Sequence, residues 1–217
     1  DMESLVRITE YLFSNNKRRE IFQLMNRLEK KFALEPSFQT VKGQYYLMCD
    51  SLERAKESLE LALQLDSTSS FIYSNLGWLY YELGENAMSD SFYTKALELA
   101  PNAIISNNFA YSLIERGVRL DYAKQLIEFA LMVDPKNPYY LDTYGWLFYR
   151  LGNYDLAIKY ISESIQIDGT NAETYIHLGE IYQTLGNIDL AHKYYEKAKS
   201  IAPNDLKIIH KLQELTK

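Results

Sequence analysis

Residues 73–84 read Tyr73-Ser-Asn-Leu-Gly-Trp-Leu-Tyr-Tyr-Glu-Leu-Gly84, and residues 175–186 read Tyr175-Ile-His-Leu-Gly-Glu-Ile-Tyr-Gln-Thr-Leu-Gly186. Working outward from them, blocks of 34 residues beginning at Pro36, Ser70, Ile104, Pro138 and Ala172 superimpose with no inserted or deleted residue. The eighth position holds Gly43, Gly77, Tyr111, Gly145 and Gly179; the twentieth holds Ala55, Ser89, Ala123, Ala157 and Ala191. The twenty-seventh holds Ala62, Ala96, Ala130, Ser164 and Ala198. Small residues at fixed offsets mark where helix axes approach, so the period predicts an all-α solenoid of stacked helix pairs. Pro101, Pro135 and Pro203 at position thirty-two end helices, because the ring cannot continue one.

Each quoted stretch is followed by a small residue and then by Lys-Ala, and together they resemble tetratricopeptide (TPR) repeats over residues 36 to 205. The resemblance implies a right-handed α-solenoid of two helices per repeat, with units 36–69, 70–103, 104–137, 138–171 and 172–205. The third unit departs from the pattern, with Tyr111 for the usual glycine and Asn107 for the usual aromatic, and its first helix is expected to pack less closely. Residues 2–35 read as a degenerate repeat: Leu5, Ile8, Leu12 and Phe13 form one apolar stripe, and Ile21, Leu24, Met25, Leu28 and Phe32 another. The run Leu206, Ile208, Ile209, Leu212 and Leu215 reads as an amphipathic capping helix over 206–217.

An apolar fraction of 47 % excludes intrinsic disorder, and 19 Tyr suit broad inter-helical packing. A net charge of -6 argues against nucleic acid as a partner. Cys49 is the only cysteine, which excludes an intramolecular disulfide and a thiolate metal site. No run of about 18 apolar residues offers a membrane span. The chain opens on Asp1 and reads as an excised piece, from which a leader, a lipid anchor or further repeats can have been removed; the compartment is therefore open between cytoplasm and bacterial envelope.

Catalysis needs convergent polar groups, and the pattern offers none. His177, His192 and His210 lie on three different predicted helices without a metalloprotease, CxxC or serine-elbow context, and are read as surface or groove residues. Glycines sit at turns and contact positions, so no phosphate-cradling loop exists. The expectation is a non-enzymatic protein without cofactor or metal.

In the family resembled here, positions 2, 5, 9, 12 and 13 of first helices generally line a concave groove. Carried onto this chain, they give Phe71, Trp78, Tyr81, Glu82, Asn108, Glu115, Tyr139, Asp142, Trp146, Tyr149, Glu173 and Glu180 as groove candidates. Aromatic anchors among acids suit a partner peptide or helix with apolar and basic side chains. A competing reading has Trp78 and Trp146 packed between neighbouring first helices. The carboxylate clamp of heat-shock cochaperones is not matched: Asn75 and Asn108 fit, but Tyr139 and Thr143 stand where a basic pair is required. The strings Asn107-Asn-Phe-Ala-Tyr-Ser-Leu-Ile-Glu-Arg-Gly117 and Leu141-Asp-Thr-Tyr-Gly-Trp-Leu-Phe-Tyr-Arg-Leu-Gly152 are similar to a paired-repeat pattern common in bacterial TPR proteins, many of them envelope lipoproteins that act as assembly factors or protease adaptors. The expected function is a protein-interaction scaffold or adaptor, with self-association compatible; the alternative is a solenoid arm of a larger enzyme or envelope assembly.

Overall fold

The computed structural model describes Ile8, Leu12 and residues 17–215. Half of the expected first stripe of the degenerate repeat (Leu5, Phe13) and residues 216 and 217 of the expected cap lie outside the described residues. Among those described are 12 helices and no strand: α1 (Arg18–Phe32), α2 (Pro36–Met48), α3 (Leu52–Leu65), α4 (Ser70–Glu82), α5 (Asn86–Leu99), α6 (Ala103–Arg116), α7 (Leu120–Val133), α8 (Pro138–Arg150), α9 (Tyr154–Ile167), α10 (Ala172–Thr184), α11 (Ile188–Ile201) and α12 (Leu206–Glu214). The architecture is an all-α solenoid. The chain divides into two compact units, 1–109 and 110–217, with the boundary inside α6.

In the first unit, Ile21, Met25 and Phe38 form one buried cluster, and Ala55, Leu59, Ala62, Ile72, Leu76, Leu79 and Tyr80 another. The helices of each pair approach at the glycines. A Cβ added to Gly43 would lie 2.4 Å from Cγ of Leu59, and one on Gly77 would lie 2.8 Å from the Tyr93 ring. The small residue need not be inert: Ser89 donates its hydroxyl to the carbonyl of Gly77 at 2.8 Å, satisfying a buried polar group without adding bulk.

The second unit repeats this arrangement. A Cβ on Gly145 would meet Ile161 at 2.6 Å, and one on Gly179 would meet the Tyr195 ring at 2.5 Å. Ala157, Ile161, Leu178 and Ile181 pack together; Tyr175, Ile176, Ala191, Tyr195 and Ala198 pack with Ile208 and Leu212 of α12, which covers the last repeat. Tyr111, at the glycine position of the third repeat, is half-buried, and its ring lies 6.2 Å from that of His177.

Local signals explain the helix ends. Asn137, Asn153, Asn171, Asn187 and Asp205 each accept a hydrogen bond from a first-turn amide of the helix that follows, whereas Ser51 and Ser69 stand at N-caps without one. Gly84, Gly152 and Gly186 take φ of +75°, +77° and +74° in the turns inside their repeats, a region glycine reaches without Cβ strain. The turn of the third repeat differs: Gly117 has φ +67°, and the non-glycine Arg119 follows at φ 50°.

Two outcomes are expected in denaturant melts. Gly179→Ala, like Gly145→Leu, costs about 1–3 kcal/mol because the added carbon overlaps a buried side chain, while Lys159→Leu leaves the midpoint nearly unchanged. Removing the caps with Asn153→Ala or Asn187→Ala costs about 1 kcal/mol each. Glycine variants that melt like the Lys159 variant would show that the contact register is wrong.

Candidate functional site

The face built from first helices in the second unit is held together by a polar and aromatic chain. Trp146 of α8 donates its indole N–H to Oε1 of Glu115 on α6, and Arg150 donates to the carbonyl of Glu115 at 2.8 Å. The Trp146 ring stacks on Tyr149 with centroids 4.5 Å apart and on His177 of α10 at 4.2 Å. Both carboxylate oxygens of Asp142 lie 3.1 Å from Nδ1 of His177. Nε2 of His177 faces Oε1 of Glu173 at 3.5 Å, and Nζ of Lys207, from α12, donates to the same oxygen at 2.7 Å. Lys211 pairs with Glu180 at 3.1 Å, and the Tyr149 hydroxyl lies 3.0 Å from that of Thr184.

Burial sets the electrostatics. His177 is 1 % exposed, and its surroundings oppose charge, yet the Asp142 carboxylate, its hydrogen bond and then Glu173 outweigh that cost and raise the imidazole to about 8. Glu173 is lowered: burial works against ionisation, but His177 and Lys207 more than compensate. The two carboxylates flanking His177 thus favour its charged form.

Several expectations need correction. His177 is a core residue, not a surface or groove one. The sixth block position carried a partial signal, since its equivalents Val41, Phe109 and Thr143 are also buried while Asn75 is half-buried. Trp78 and Trp146 share a block position but differ in exposure: Trp146 is 4 % exposed and locked by Glu115, whereas Trp78 is partly exposed, 5.1 Å from Tyr81. Asp142, at 6 % exposed, faces His177 rather than solvent. Glu173 and Glu180 reach solvent in part but are already paired with lysines of the capping helix, a partnership the groove positions alone did not suggest.

The remaining candidates reach solvent. Phe71 is 49 % and Tyr139 50 % exposed; Tyr81, Asn108, Glu115 and Tyr149 are half-buried, and Glu82 is exposed at the end of α4. Partial desolvation, and then the Asp50 carboxylate, raise the proton affinity of Glu82. Among the described residues, no group of three or more His, Cys, Asp or Glu side chains could hold a metal ion, and no helix is long and apolar enough to cross a membrane.

Stacked helix pairs with small residues at each crossing define a helical repeat protein. Residues 72–103 and 143–204 each match a tetratricopeptide repeat family, so the chain carries tetratricopeptide repeats over those stretches. A tetratricopeptide repeat protein from Parabacteroides merdae superimposes with a TM-score of 0.78 at 16 % identity, over 100 % of this chain and 84 % of that one. PilW, a widely conserved type IV pilus biogenesis factor, superimposes with a TM-score of 0.70 at 18 % identity, over 100 % of this chain and 98 % of the other. A TPR repeat-containing protein of Pseudomonas aeruginosa is 34 % identical over 64 residues, which are 30 % of this chain and 11 % of that protein. Proteins of this fold are protein–protein interaction scaffolds, generally without catalysis of their own.

The buried ion pair sets a pH dependence. Because His177 binds its proton more tightly when folded, with a value of about 8 against 6.5 ordinarily, its stabilisation is complete below pH 6.5 and is lost as pH rises through 8. The difference corresponds to about 2 kcal/mol. Denaturant melts at pH 6 and pH 9.5 should show that loss in the natural sequence but not in His177→Gln. Equal slopes against pH in the two proteins would remove His177 from the account.

Proposed function

We propose that the chain is a non-enzymatic scaffold that holds a peptide or helix of another protein against the first-helix face, with the principal anchors in the first unit. The observation that supports this is the state of α4. Phe71, Trp78, Tyr81 and Glu82 recur at helical spacing on one side of it, and all four reach solvent to some degree. Aromatic side chains at this exposure lose water on binding at little entropic cost, and a neighbouring carboxylate favours a basic group on the partner.

The corresponding positions of the second unit are already used internally. Glu115 is bound by Trp146 and Arg150, Asp142 by His177, and Glu173 and Glu180 by lysines of α12. Tyr139 is exposed and Tyr149 half-buried in that unit, but Trp146 and Asp142 serve stability there. The partner class is thus a segment with aliphatic or aromatic residues and one or more Lys or Arg. A second reading, an arm of a larger protein, draws on the match to a small share of a much longer relative.

A peptide library displayed against the 217-residue protein supplies ligands, and titration calorimetry of variants tests the reading. Phe71→Ala combined with Trp78→Ala should weaken binding by more than about 2 kcal/mol, with little change in melting. Trp146→Ala should instead destabilise the fold by about 3–5 kcal/mol, while the fraction still folded keeps its affinity. Selected peptides that bind the Phe71/Trp78 double variant at full strength would overturn the assignment.

A further inference from the structure

The buried histidine and the capping helix share one counter-ion. Oε1 of Glu173 faces Nε2 of His177 at 3.5 Å and accepts from Nζ of Lys207 at 2.7 Å, so a single carboxylate oxygen serves cations from α10 and α12. The groups around His177 come from every neighbouring element. Asp142 of α8 engages Nδ1; Glu173 of its own helix and Lys207 of α12 lie on the Nε2 side; the Tyr111 ring of α6 lies 6.2 Å away, and Glu115 of α6 is one step removed, bound to the stacked Trp146. Among the described residues Nε2 has no hydrogen-bond partner, so none of them offers an acceptor that shares its charge with Glu173.

We propose that this shared carboxylate makes docking of α12 sensitive to pH: a proton on His177 loosens the Lys207 attachment, and its loss tightens it. The physical reason is competition. With His177 charged, Glu173 divides its attraction between two cations that repel each other across it; with His177 neutral, the carboxylate belongs to Lys207 alone. Lys207 correspondingly acts to lower the proton affinity of His177, and Glu173 acts to raise that of Lys207. Linkage requires the effect to be mutual, so release of α12 must raise the proton affinity of His177 by the same factor that protonation weakens docking.

The attachment of α12 is suited to such control. The helix has nine residues, buries Ile208 and Leu212, and carries the Lys207 and Lys211 pairs with Glu173 and Glu180. His177 also ties α8 to α10 through Asp142. Protonation therefore moves in opposite directions at its two ends, strengthening the tie between adjacent first helices while weakening the tie to the cap.

The test is an imidazole nitrogen NMR titration of the whole 217-residue protein, with the exposed His192 and His210 as internal references. In Lys207→Gln the titration midpoint of His177 should move up by about 0.5 pH or more; in Lys207→Arg it should stay; in Glu173→Gln it should fall. Amide exchange of α12, corrected for intrinsic rates, should show greater protection at pH 9 than at pH 6 in the natural sequence, and no such rise in His177→Gln. An unchanged or lowered midpoint in Lys207→Gln, or α12 protection that is greater at pH 6, overturns the proposal. Circular dichroism confirms that each variant is folded, and the conservative Lys207→Arg separates charge coupling from lost packing.

Discussion

Helix axes can approach closely only where one of the two carries almost nothing on its surface. In four of the five repeats that place is a glycine, and the partner that fills the space is large and fully buried: Leu59, Tyr93, Ile161 or Tyr195. Dispersion contact falls steeply with distance, so the depth of this insertion determines how much apolar surface each pair removes from water. The other features are arranged around it. Alanine or serine at the twentieth and twenty-seventh positions permits the approach, glycine turns return the chain at the required angle, and first helices are brought side by side from one repeat to the next.

That side-by-side placement is visible in the chain separations of the polar contacts. Trp146 to Glu115 and Lys211 to Glu180 span 31 residues, Lys207 to Glu173 spans 34, and Asp142 to His177, Arg150 to Glu115 and Tyr149 to Thr184 span 35. Each is close to one repeat length, so these bonds join first helices of neighbouring repeats or tie the last first helix to α12. Buried charge of this kind is costly unless every member is matched. Here His177 between Asp142 and Glu173, with Lys207 beyond, supplies alternating signs from α8 to α12.

The helix pairs, their turns and the small contact residues were legible in the sequence because each depends on residue type at a fixed offset. Asn137 as a cap, and Gly84, Gly152 and Gly186 as turns, are decided within a few bonds of the backbone. The site was less legible. Trp78 and Trp146 look equivalent by position, and their difference arises from Glu115, which reaches Trp146 from another repeat. Neither does composition distinguish an exposed acid, such as Glu82, from Glu173 and Glu180, whose lysines come from α12. His177 was misread for the same reason: its charge is stabilised by Asp142, thirty-five residues away, and position in the block spoke only for its burial.

Contacts that close over about one repeat have a kinetic meaning. The entropy lost in joining two points grows only slowly with the chain between them, and here that stretch stays close to 35 residues for the polar contacts between neighbouring first helices. A chain assembled through such steps can begin to fold at any repeat and grow by adding neighbours, without first closing a long loop. The same locality limits how far damage travels. A defect at Gly77 is felt by the helices that pack beside it and fades with each further interface, so the repeat array tolerates local opening as a row of coupled segments rather than as one indivisible core.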